Sequence, residues 1–206
     1  MPNREPARSP VRRARSAVLA VLVVGTTLAG LAGCLPSDEP VASSPRSAAP
    51  APTTARQDPH ADGALPDGVT VFDEYPGIAN LDPDLLRALR DAATAAADEG
   101  VEFVVNSGWR STGYQDRLRR EAVSDHGSEA EAAQWVATPD TSFHVSGDAV
   151  DLGPAARAWL ARHGAGFGLC QIYGNEPWHY ELRPDAVEQG CPPMYPDPTH
   201  DPRMQP

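Results

Sequence analysis

Between residues 82 and 100 apolar side chains recur every three or four positions, with Leu85, Leu86, Leu89, Ala92, Ala93 and Ala96 forming one stripe. That spacing predicts an amphipathic helix. Asp82 stands at its N-cap, Pro83 at its first helical position and Gly100 at its end. The period then changes. "VEFVV" (101–105) reads as a strand, "NSGWRS" as a loop, and Thr112 to Asp125 as a polar helix. A second, shorter helix is expected from Ser128, where Glu131 completes a capping box, to about Ala137. From Pro139 a loop leads to His144. "DAVDL" alternates as a strand does, and "PAARAWLARHG" is a helix with Pro154 at its start and Gly164 at its end. "FGLCQIY" and "HYEL" read as two more strands with a Gly-Asn-Glu-Pro bend between them. Irregular alternation ending in hairpin-like strands predicts an α+β fold, with a small antiparallel sheet flanked by helices rather than a doubly wound one.

The two ends have a different texture. The first sixteen residues carry five arginines, followed by the apolar run "AVLAVLVVGTTLAGLAG" (17–33) and Cys34. A basic segment, a short apolar segment and small residues are the grammar of a secretory signal. "LAGC" (31–34) resembles the lipobox of bacterial lipoproteins, in which the cysteine is acylated and becomes the mature N-terminus. The alternative is an uncleaved membrane anchor, seventeen residues being near the lower limit for a span. Both readings place the rest of the chain outside the cytoplasm. Residues 34–68 are rich in Pro, Ala, Ser and Thr and read as a tether, because such a segment buries too little to offset its ordering entropy. The globular domain is expected over 69–191, and the Pro-rich tail 192–206 is expected to lack regular structure.

Charge and cysteines narrow the picture. The chain has a formal net charge of −11 and no lysine. Without residues 1–33, 12 arginines face 27 acids, a balance near −15. A surface this acidic argues against nucleic-acid binding, which needs a basic footprint. With Cys34 assigned to lipid, Cys170 and Cys191 remain for one disulfide in an oxidising compartment. Such a bridge would stabilise the fold by about 3 kcal/mol in the chain-entropy account.

Three clusters carry candidate chemistry. His144 and Asp151 lie seven apart in "HVSGDAVD". In one ideal strand they would face opposite sides, so a shared site needs the chain to turn first, as Gly147 allows. Glu176 and His179 lie three apart in "NEPWHY", with Pro177 between them. A histidine beside a carboxylate is the pairing that metal-assisted water activation demands. Arg110, in the loop after the first strand, suits a developing oxyanion or a substrate carboxylate. His126 and His163 each precede a glycine at a helix end, where a histidine is most simply a favourable charge on the helix C-terminus.

The order of these clusters carries a resemblance. "SGWRS" followed by "YQ", then "SFHVSGDAVD" as S-x-H-x-x-G-x-A-x-D, then "EPWH" as E-x-x-H, resemble the zinc D-alanyl-D-alanine carboxypeptidases of the VanY type, within the hedgehog-like D,D-peptidase group. The likeness spans about residues 75–183. Trp109 stands where the family often has Tyr, and Phe143 where an acid is common. The resemblance implies one Zn2+ held by His144, Asp151 and His179, Glu176 as the base that activates water, and Arg110 at the oxyanion. It puts Gln115, Tyr114 and Ser142 near the substrate. It implies an enzyme that removes the terminal D-Ala of a peptidoglycan stem peptide or a lipid-linked precursor; the lipobox-like "LAGC" would attach it to the membrane through an N-terminal lipid, and a monomer is expected. An L,D-carboxypeptidase, a D,D-dipeptidase, a wall endopeptidase or a non-catalytic metal-binding wall module would use the same motifs.

Overall fold

The computed structural model describes residues 60–205. The signal segment, Cys34 and residues 34–59 of the expected tether lie outside the described residues. The chain runs through α1 (Pro76–Ala79), α2 (Pro83–Ala97), β1 (Val105–Ser107), α3 (Thr112–His126), α4 (Glu129–Ala132), α5 (Phe143–Ser146), β2 (Ala149–Leu152), α6 (Pro154–His163), β3 (Leu169–Gln171), β4 (His179–Leu182) and α7 (Ala186–Gln189). The four strands form one sheet in the order β1-β2-β4-β3, every pair antiparallel. This is the expected α+β architecture.

α2 starts where its cap dictates. The Asp82 carboxylate accepts from the Asp84 and Leu85 amides at 2.9 and 3.1 Å, contributing about 1 kcal/mol. Leu85, Leu89, Ala92, Ala93 and Ala96 are buried along one face. They meet Val150, Leu152 and Tyr180 of the sheet, together with Trp159 and Leu160 of α6, in the main core. Strand alternation then leaves Asp151, His179 and Glu181, one residue out of step, on the opposite face. That face carries the site.

Four expectations change. Val104 pairs with Thr70 in an isolated bridge, so β1 begins only at Val105. The helix expected to reach Ala137 stops at Ala132, because Arg119 Nη1 and Gln115 Nε2 bind the carbonyls of Val136 and Ala137 and draw that backbone aside. Residues 60–68 join the domain instead of the tether. Ser111 donates its amide to the Asp62 carbonyl at 2.9 Å, and Arg117 reaches the Asp62 carboxylate at 2.5 Å. The tail is ordered too. Asp197 and Asp201 each precede a proline and cap a 3₁₀ turn, at Pro198–His200 and Pro202–Met204. This is the Asp-Pro start signal that opens α2. Cys170 and Cys191 are joined in a disulfide with Cα atoms 5.6 Å apart.

Candidate metal centre

Register builds half of the site. Asp151 in β2 is the direct cross-strand partner of His179 in β4, so both side chains leave the sheet on one face. His144 comes from the one-turn helix α5. Gly147 then turns the chain into β2 with φ +88°. A Cβ there would lie 2.6 Å from the Asn80 carbonyl oxygen, so the backbone contact that seats α5 requires glycine.

The three side chains are buried, and their donor atoms lie within 4.8 Å of one another. Asp151 Oδ1 lies 3.4 Å from His144 Nε2 and 3.6 Å from His179 Nδ1. It is buried without a hydrogen-bond partner. A tetrahedral zinc site places neighbouring ligand atoms about 3.4 Å apart, given Zn–N and Zn–O bonds near 2.1 Å. The donor set therefore fits a zinc-sized cation, and the orphaned carboxylate oxygen is explained by one.

Partners behind the ligands fix which nitrogen faces inward. His144 Nδ1 donates to the Gly108 carbonyl at 2.8 Å, leaving Nε2 for the site. His179 Nε2 donates to Glu181 at 3.2 Å, leaving Nδ1 for the site. Both are the outer contacts that orient metal-binding imidazoles. Glu176, brought in by the Gly174–Pro177 bend, places Oε2 3.6 Å from His179 Nδ1. Burial pushes its carboxyl up to about 7. A carboxylate poised near neutrality beside a metal-ligand set can take and return a proton.

Arg110 spends one N–H on each of three partners. Nε binds Ser107 Oγ at 2.8 Å, Nη1 binds Gln115 Oε1 at 3.1 Å, and Nη2 binds Asp151 Oδ2 at 2.7 Å. Gln115 is equally occupied, since its Nε2 holds the Ala137 carbonyl at 2.9 Å. In this geometry Gln115 supports Arg110 and the cavity wall, and its Nε2 uses one of its two N–H groups on Ala137. A cavity of about 390 Å³ opens over the site, walled by Arg110, Gln115, Ser142, Phe143, Glu176 and Trp178 among others. Tyr114 is not a wall residue and instead lies under the Arg117 guanidinium, 5.0 Å from it. His126 stands outside the ligand set, stacked on Trp135, and both line the same cavity. His163 lies at the end of α6 against Trp159.

Several participants lie outside the motifs that the sequence singles out. Glu181 is legible in retrospect, because it lies two residues after His179 and strand alternation returns it to the same face. Tyr173, Pro198 and Met204 border the cavity by tertiary packing that no local pattern reports.

A small antiparallel sheet bearing a buried His-Asp-His donor set, with an elevated carboxyl beside it, defines the class of metal-dependent hydrolase centres. Within that class the chain belongs to the VanY family of D-alanyl-D-alanine carboxypeptidases, whose family model matches residues 78–185. A D-alanyl-D-alanine carboxypeptidase of Enterococcus faecalis is 34% identical over 118 residues, covering 45% of this chain and 44% of that protein. The chain thus spans less than half the length of this curated relative. Among solved structures, the vancomycin-resistance D,D-pentapeptidase VanY of a VanB-type cassette, in complex with Zn(II), is 31% identical, with a TM-score of 0.46 over 50% of this chain and 72% of that one. The LD-carboxypeptidase LdcB is 26% identical, with a TM-score of 0.49 over 61% and 70%.

Proposed function

We propose that this protein is a zinc-dependent D,D-carboxypeptidase that removes the terminal D-Ala from peptidoglycan stem peptides. The observation that carries the reading is the buried, unpartnered Asp151 Oδ1, set between His144 Nε2 and His179 Nδ1 with Glu176 alongside. Membership of the family supplies the substrate class. When bound, zinc supplies Lewis acidity and a water acidic enough to ionise near neutral pH. Glu176 accepts the proton of the attacking water and hands it to the departing D-Ala amine. Arg110 holds Asp151 in place. Its remaining N–H groups, beyond those on Ser107, Gln115 and Asp151, are left for the peptide carbonyl oxygen as it gains charge. Ser142 and Trp178 bound the space where the stem peptide lies.

The test is product analysis on synthetic stems with the zinc-loaded chain. Pentapeptide should lose one D-Ala and tetrapeptide should persist. Trimming of tetrapeptide alone would replace the D,D reading with an L,D one. Glu176→Gln should keep its zinc and lose about 100-fold or more in kcat. Full activity in that variant would overturn the proton role. We also propose that Cys34 carries lipid and holds the domain outside the cytoplasmic membrane. Its support is the sequence "LAGC" behind a basic and then apolar segment. Cys34→Ala should move the protein out of the membrane fraction of expressing cells, and a variant that stayed there would sink the lipid anchor.

A further inference from the structure

Glu181 is a buried acid that the proposed reaction does not use directly, and the structure surrounds it with care. It lies behind His179 and opposite the small residues Ala149 and Cys170 in the sheet. Its Oε1 receives His179 Nε2. Its Oε2 receives Arg183 Nη2 at 2.5 Å and Arg203 Nη1 at 2.8 Å. Arg203 comes from the tail, in the 3₁₀ turn Pro202–Met204.

That arginine is held from several sides. Asp201, wholly buried, accepts from Arg203 Nε at 3.0 Å, from its backbone amide at 2.9 Å and from Nη2. Tyr173 Oη donates to Asp201 at 3.0 Å, and the Tyr173 ring returns to within 5.0 Å of the His179 ring. The ring of contacts closes on the residue where it began. The Arg203 guanidinium also lies 4.4 Å over the ring of Phe143, the residue before His144. One side chain therefore touches the neighbours of two of the three donors. It belongs to a segment that the sequence pattern marks only as proline-rich.

We infer that Arg203, locked by Asp201, is a positioning residue of the metal centre: the C-terminal strap holds Glu181 so that Glu181 presents His179 Nδ1 to the ion. The inference rests on the proposed zinc reading. It does not depend on which peptide is cut.

The sign of one effect separates this role from plain electrostatics. Arg203 is a cation near a cation site, so removing its charge alone should tighten zinc binding. A loss of affinity on removal reports lost positioning. The experiment is zinc competition against a chromophoric chelator on the full chain, with Arg203→Gln and Arg203→Lys beside the parent. Thermal unfolding of each metal-free chain is run in parallel. We expect Arg203→Gln to weaken zinc binding by about tenfold, the low end of the range for an outer contact of a metal ligand, because Arg203 acts through Glu181. Arg203→Lys should recover part of that loss, and the metal-free Arg203→Gln chain should remain folded at the assay temperature. Unchanged or tighter binding in Arg203→Gln would overturn the inference. So would a loss of affinity that merely follows unfolding of the metal-free chain. A parent chain that bound no zinc would sink the metal reading itself, whereas equal binding by parent and variant sinks only the role of the strap.

Discussion

Asp151 and Glu176 are buried carboxylates that flank one imidazole, yet their proton affinities are pushed in opposite directions. Burial dominates at Glu176 and lifts it to about 7. Burial also acts on Asp151, but the positive charges of His179 and Arg110 beside it outweigh burial and hold that carboxyl well below the usual range. One is thus a permanent anion suited to a cation, the other an acid that exchanges its proton near neutrality. His144 is pushed down, chiefly by burial, and is neutral and ready to ligate. His179 is the opposite case. Burial disfavours its charge, but the Asp151 and Glu181 carboxylates raise it from 6.5 to about 9. In the metal-free chain its proton stabilises the fold fully below pH 6.5, and that contribution is lost as pH rises through about 9. Zinc needs the neutral ring, so it must expel this proton. Zinc affinity should therefore rise with pH, by about tenfold per unit between roughly pH 7 and 8.5, where one proton is released per ion. Calorimetry in buffers of different ionisation enthalpy measures that proton, and a pH-independent Kd would contradict the assignment.

At the scale of elements, the site depends on two junctions, one legible and one not. "DAVDL" and "HYEL" alternate clearly, so both strands and the facing of Asp151 and His179 follow from pattern. Their register does not, because spacing along the chain says nothing of which residue lies opposite which. The His144–Asp151 separation of seven reads as a conflict in strand parity. α5 resolves it by taking His144 out of the strand altogether. That turn depends on Gly147, whose amide and carbonyl are both used: it accepts from Asp82 at 2.9 Å and donates to His144 at 3.3 Å. Gly147→Ala combines a positive φ with a Cβ only 2.6 Å from Asn80 O. We expect a loss of about 1–3 kcal/mol in unfolding free energy, measured by denaturant titration of the zinc-loaded chain. Zinc binding should weaken with it as α5 shifts. An alanine variant with parental stability would mean that α5 is not held through this contact. Glu181 follows His179 by two residues on one strand face, whereas Tyr173 and Arg203 stayed hidden for the same reason as the register. Each acts through a partner distant in sequence, and a residue's own neighbours carry no trace of that.

For the whole molecule, the question is what keeps a proline-rich C-terminus seated on the domain. Its apolar contribution is small: Tyr195 packs on a minor core of Cys170, Ile172, Tyr173 and Ala186, while Met194 is exposed. Backbone pairing adds a parallel bridge between Tyr173 and Tyr195, with Gly174 and Asn175 donating to the Tyr195 and Pro196 carbonyls at 2.8 and 3.1 Å. Those same bonds hold the bend that carries Glu176, so the tail supports the site at two points, here and at Arg203. The Cys170–Cys191 bridge ties the start of this segment to β3. It closes a loop with a sequence separation of 21, which the chain-entropy account values at about 3 kcal/mol. Cys191→Ser is the cleaner variant, since Cys191 is exposed while Cys170 is buried and as a free thiol remains a small apolar residue. It should lose roughly that amount in denaturant unfolding, and reductant should lower the parent to the same level while leaving the variant unmoved. If reductant leaves the parent's midpoint unchanged, the strap is seated by its packing alone. A loss in both cases would mean that the Cys170–Cys191 bridge contributes to the stability of the domain that carries the metal ligands.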